Sequence, residues 1–133
     1  MALTQSTRLY LAVGAGAALG ALARHLAALM LGTAGGLPLA TALVNVVGSF
    51  VIAFFAIATG PDGRLIVRPA WRQFVTTGFC GGLTTFSVLS LETLLLAVER
   101  RPLAAILFVA GVIALSLAAA WAGYGLAMRY NRG

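Results

Sequence analysis

The sequence predicts an all-α integral membrane protein of four transmembrane helices, the third of them broken at mid-membrane. Three observations carry this reading. Of the 133 residues, 61% are hydrophobic and 9% are charged, with a mean hydropathy of +1.00, whereas a soluble domain carries about 25% charge. The length leaves room for about four spans of roughly 20 residues. The third apolar segment also contains Gly78-Phe79-Cys80-Gly81-Gly82-Leu83-Thr84-Thr85-Phe86-Ser87, which is poor material for a continuous helix. Adjacent glycines cost roughly 1 kcal/mol each against alanine in a helix interior. The threonines behind them are β-branched and carry hydroxyls that compete for backbone hydrogen bonds. In lipid, a broken backbone is tolerated only where it is buried in protein or lines a polar cavity, and the half-helix ends then present free N–H and C=O groups to ions or substrates.

The chain reads as a single four-helix domain over 1–133. Span one covers about 8–31 and contains Gly16-x-x-x-Gly20, a small-residue pattern that lets helices approach closely, although such residues are common in membrane helices generally. Arg24 and His25 lie near its far end. An intramembrane charge is a functional hypothesis by default, set here against snorkelling of Arg24 to the headgroups. Gly32 to Leu37 is an uncharged loop, and Pro38 opens span two, about 38–59, as suits a first helical turn. On that span Thr41, Asn45 and Ser49 are spaced by four and share a face. Gly60-Pro61-Asp62-Gly63 signals a turn, and span three runs over about 69–98 with Glu92 toward its end. Span four covers about 103–128, with Ser116 its one hydroxyl before Tyr124, and Trp121 and Tyr124 nearing the interface.

Composition excludes several classes. The chain is too short to add a soluble catalytic domain to four spans. No nucleophile, general base or metal-ligand cluster stands out, so an enzyme is not expected. The N-terminal apolar run is of span length and shows no clear cleavage site. The single Cys80 rules out an intramolecular disulfide and is read as a packing residue. The net charge of +6 comes from nine arginines and no lysine. They sit mostly at loop edges, which fits membrane orientation better than nucleic acid.

A pore for a small anion needs hydrogen-bond donors without a deep cationic trap, because tight binding stops conduction. Asn45, Thr41, Thr85 and Ser87 are such donors, and the ring edge of Phe86 is the positive end of its quadrupole. Carbonyls freed at Gly81 and Thr84 suit a hard cation such as Na⁺. The same polar residues serve equally well as glue between helices.

Three motifs in order sharpen the choice. The Gly78–Ser87 stretch, Thr41-Ala42-Leu43-Val44-Asn45-Val46-Val47-Gly48-Ser49-Phe50 and Gly20-Ala21-Leu22-Ala23-Arg24 resemble the signatures of the third, second and first helices of the Fluc or CrcB family of fluoride channels. The resemblance spans all four helices. It implies an antiparallel, dual-topology dimer in the cell inner membrane, with two fluoride pathways along the subunit interface and a structural Na⁺ at its centre. It implies passive export of F⁻ that relieves fluoride toxicity. It assigns fluoride contacts to Asn45, Phe86, Thr85 and Ser87, the Na⁺ ligands to the carbonyls of Gly81 and Thr84, and the aqueous vestibule to Arg24; Thr41 and Ser116 complete the expected pathway.

The sequence also departs from that pattern. A second phenylalanine is expected where Leu89 stands, and a tyrosine and serine track falls on Phe108, Val112 and Ser116, of which only Ser116 keeps a hydroxyl. With four spans, Arg8, Arg64, Arg68, Arg72, Arg129 and Arg132 share one side and Arg100 and Arg101 the other, with Arg24 assigned to neither. The positive-inside rule then gives a cytoplasmic N-terminus, whereas an antiparallel homodimer needs little bias. Pairing with an oppositely biased homologue, as a non-conducting or half-functional subunit, is therefore a second expectation. A small dual-topology multidrug exporter has similar size, but it needs a carboxylate in the first span, and the acids here are Asp62, Glu92 and Glu99.

Overall fold

A computed structural model describes residues 4–133. Its architecture is almost wholly helical. Helix α1 spans Gln5–Leu31, α2 Leu39–Ala58, α3 Pro69–Gln73, α4 Gly81–Leu83, α5 Phe86–Val98 and α6 Pro102–Arg132; a π-helical segment, Phe74–Cys80, joins α3 to α4. Four stretches are long and apolar enough to cross a membrane: α1, α2, the run Pro69–Val98 and α6. Against the sequence reading, α1 starts three residues before position 8, and α6 continues through Arg132 rather than stopping at 128.

Local chemistry accounts for the helix ends. Thr4 caps α1 by accepting a hydrogen bond from the Thr7 amide. Pro69 and Pro102 each open a helix, where a missing N–H costs nothing. The α1–α2 connection, expected as a plain loop, is a miniature hairpin: β1 (Thr33–Ala34) pairs antiparallel with β2 (Leu37–Pro38). Gly35 and Gly36 form its turn at φ of 60° and 76°, the conformation that tight two-residue hairpin turns demand. The Arg101 guanidinium ties this hairpin to the start of α6 by donating to the Gly35 carbonyl at 2.9 Å.

Packing follows two backbone-close seams. The buried residues of α1 are Gly16 and Gly20. A Cβ on Gly16 would strike the Phe74 carbonyl, and one on Gly20 the Phe79 carbonyl. The facing surface is equally bare, since Gly78 lies against Val13 and Gly82 against Ala17. Gly16/Gly20 and Gly78/Gly82 thus form matched small-x-x-x-small ridges. The second seam joins α2 to α6, where Gly123 lies against the Phe50 carbonyl. The buried cluster of Leu89, Leu96, Ala105, Phe108 and Val112 fills the space between α5 and α6.

Candidate functional site

The third span is interrupted, but not at its glycines. Gly81 has helical angles, φ −65° and ψ −35°. The chain leaves the helix at Thr84 (φ −78°, ψ 152°) and Thr85 (φ −151°, ψ 124°), then restarts at Phe86. Within the Gly78–Ser87 stretch, the threonines carry the break, and Gly82 is needed for close approach to α1.

Asn45 holds that break open. Its side-chain oxygen accepts from the Thr85 amide at 2.8 Å, and its amide nitrogen donates to the Thr85 carbonyl at 3.0 Å. One side chain thereby satisfies both backbone groups of the most extended residue. The restart is capped locally: the Thr85 hydroxyl accepts from the Val88 amide at 3.2 Å, as an N-cap does. In an uninterrupted helix the Thr85 amide would bond the Gly81 carbonyl, and the Val88 amide the Thr84 carbonyl. Both donors are diverted, so these two carbonyls lack their helical partners. They are the pair that the sequence reading named for Na⁺.

The break opens on a cavity of about 360 Å³ lined by Asn45, Gly81, Thr84, Thr85, Phe86 and Ser116, among others. Most of the expected site residues are thus together. The Ser116 hydroxyl oxygen is buried and has no hydrogen-bond partner among the described residues. The N-terminus of α5, with its positive dipole end, begins at the same cavity. Phe86 is 73% exposed while Leu89 is 3% exposed. Three residues apart, they line one cavity but do not share a surface. Val112 also lines the cavity, whereas Phe108 is buried behind it with Leu89 and Leu96.

The remaining expected residues lie elsewhere. Thr41 is buried and donates from its hydroxyl to a Glu92 carboxylate oxygen at 2.9 Å. Both line a second cavity, about 260 Å³, with Arg24 and His25. Glu92, expected near the interface, is a partly buried wall of that cavity; its second carboxylate oxygen has no partner among the described residues. Ser87 is exposed and bonds the Thr85 hydroxyl at 3.2 Å, outside the lining of the first cavity. The polar face of α2 therefore serves both cavities, with Thr41 in one and Asn45 and Ser49 in the other. The reading missed the Thr41–Glu92 bond. No spacing rule links two residues that far apart on different helices.

Four membrane-length helices around an interrupted third span define a small multi-pass membrane protein. The family model described as CrcB-like protein, Camphor Resistance (CrcB), matches residues 11–124. The chain belongs to that family. A protein of Brucella abortus named fluoride-specific ion channel FluC 3 is 52% identical over 130 residues, covering 96% of this chain and 95% of its own. One of Bradyrhizobium diazoefficiens named fluoride-specific ion channel FluC 1 is 48% identical, covering 96% and 90%. One of Opitutus terrae named fluoride-specific ion channel FluC is 42% identical, covering 92% and 95%.

Proposed function

We propose that this chain is a fluoride-selective channel subunit of the inner membrane that lets F⁻ leave the cytoplasm passively. The observation that carries this reading is the Asn45–Thr85 clamp, which opens the third helix beside a cavity rich in neutral donors. Asn45 spends one amide hydrogen on Thr85 and keeps a second. The Ser116 hydroxyl has no partner among the described residues, the Phe86 ring can offer its positive edge, and the α5 N-terminus adds partial positive charge. None of these is a full cation, so an anion is stabilised without being trapped. The polar stripe of α2 supports a route from the Arg24, Thr41 and Glu92 cavity toward this one. Fluoride enters cells as neutral HF from acid surroundings and dissociates inside, so a negative membrane potential drives the anion out.

The carbonyls of Gly81 and Thr84 fit a hard monovalent cation, being oxygen donors stripped of their helical partners. Na⁺ would supply a fixed positive centre there, joining two such breaks across an antiparallel dimer. The extended Thr84–Thr85 backbone aims these groups, and Asn45 keeps it extended. The break would then sit near mid-membrane, since Thr84 and Thr85 fall halfway along Pro69–Val98.

A second reading, a subunit that pairs with a homologue of opposite orientation, is favoured by a specific observation. Leu89, Phe108 and Val112, at positions expected to carry an aromatic and polar track, belong to a buried apolar cluster, two of whose members, Leu89 and Val112, wall the cavity. Efflux from liposomes tests both readings through Asn45→Ala and Phe86→Ala. Loss of fluoride flux without loss of assembly supports the channel, whereas unchanged flux contradicts it.

A further inference from the structure

At the end of the molecule that carries most of the arginines, a third cavity of about 550 Å³ lies between the α2 C-terminus and the end of α6. Arg72, Arg132, Asp62 and Tyr124 are among the groups that line it. Two cations against one carboxylate leave an excess of one positive charge. Arg72 is fixed in place, donating from Nε to the Thr59 hydroxyl at 3.1 Å and from Nη2 to the Ala56 carbonyl at 3.4 Å. The second bond caps a carbonyl at the C-terminal end of α2, where a cation is favoured, and Arg72 lines the cavity at the same time. The nearby turn is braced as well: the Arg64 amide bonds Asn131 at 3.2 Å, and Asn131 donates to the Ile57 carbonyl at 3.2 Å.

Tyr124 also lines a neighbouring groove of about 520 Å³, shared with Ala53, Leu117, Ala120 and Trp121. That groove is almost wholly apolar. Trp121 is 80% exposed along it. A charged cavity and an apolar groove thus meet at one tyrosine, on a helix long and apolar enough to cross the bilayer. Arg64, Arg68 and Arg129 stand exposed around the same end, which positive-inside bias turns toward the anionic cytoplasmic leaflet.

We propose that this is a seat for one anionic phospholipid of the inner leaflet. Its phosphodiester is held by Arg72 and Arg132, and an acyl chain lies along Leu117, Ala120 and Trp121. The net charge of the cavity matches a lipid carrying one negative charge, such as phosphatidylglycerol, better than a zwitterion. The amphipathic continuity through Tyr124 favours a lipid over a free anion. Leu117 borders the proposed fluoride cavity as well, but Arg72, Arg132 and Trp121 do not, so substitutions at those three test the lipid seat separately from the fluoride site.

Native mass spectrometry of the detergent-purified protein with added dioleoyl phosphatidylglycerol tests this. The expected result is retained phosphatidylglycerol at least several-fold above phosphatidylcholine or phosphatidylethanolamine at equal concentration. Arg132→Gln and Trp121→Ala each reduce it several-fold, while Arg129→Gln, outside the cavity lining, leaves it unchanged. Arg132→Gln does not touch the α2 cap, so it should fold even where Arg72→Gln does not. Equal retention of phosphatidylcholine, or equal loss with Arg129→Gln, would overturn the proposal. Displacement of the lipid by millimolar inorganic phosphate would also overturn it, by identifying a free-anion site.

Discussion

Asn45 shows how one side chain can be both scaffold and functional group. Replacing it with leucine keeps similar bulk but strands the Thr85 N–H and C=O, each worth about 1–3 kcal/mol when buried and unpaired. Asn45→Leu is therefore expected to lower the melting temperature in detergent and abolish fluoride flux together. Ser116 separates the two roles. Its hydroxyl makes no hydrogen bond among the described residues, so Ser116→Ala should melt at or slightly above the wild-type temperature. If the hydroxyl touches the passing ion, flux should still fall about 10-fold or more, the scale of a hydrogen bond to a charged group. A flux unchanged in Ser116→Ala would remove that residue from the pathway.

At the scale of elements, glycines divide into those that set helix distance and those that only lower helix propensity. A Cβ on Gly82 would meet the Ala17 backbone, and one on Gly78 the Val13 carbonyl, whereas Gly14 and Gly111 have open space around them. Gly14→Ala and Gly111→Ala should be neutral or stabilising by up to about 1 kcal/mol. Gly82→Ala should separate α1 from the third span and give aggregated rather than monodisperse protein on size-exclusion chromatography. The contrast checks the seam directly, because all three substitutions make the same chemical change.

Much of this level was legible in the sequence. Hydropathy and length marked four apolar helices, and the Gly78–Ser87 stretch marked where the third is interrupted. Propensity did not separate the glycines of that stretch from its threonines; against the bare face of α1, glycine at position 82 is what the contact requires. The N-cap role of Thr85 was readable from a threonine before a helical run. Its reciprocal clamp with Asn45 was not, since it depends on how two helices are juxtaposed. The hairpin at Gly35-Gly36 was signalled by the glycine pair itself and passed over because the flanking segments are only two residues long. Thr41 and Asn45 shared a predicted face, but their different partners followed only from the positions of Glu92 and Thr85.

For the whole molecule, the arginine distribution is the feature most at odds with a symmetric assembly. Pairing with an oppositely oriented homologue, which six arginines on one side against two on the other favour, predicts a predominantly cytoplasmic signal from a fluorescent reporter fused to the C-terminus, with little activity from a periplasmic phosphatase fused there. Comparable signals from both would contradict a fixed orientation and favour a homodimer that inserts both ways. The apolar cluster of Leu89, Phe108 and Val112 concerns the same question from inside the molecule, since a homodimer would repeat it in both halves. The measurement that bears most directly on the central claim is fluoride efflux, followed with a fluoride electrode, from liposomes containing this chain alone, with chloride efflux from the same vesicles as control. Rapid fluoride efflux with no chloride efflux is the predicted result. Absence of fluoride flux from monodisperse, well-folded protein, or chloride flux of equal size, would contradict the claim that this chain's own residues build a fluoride pathway.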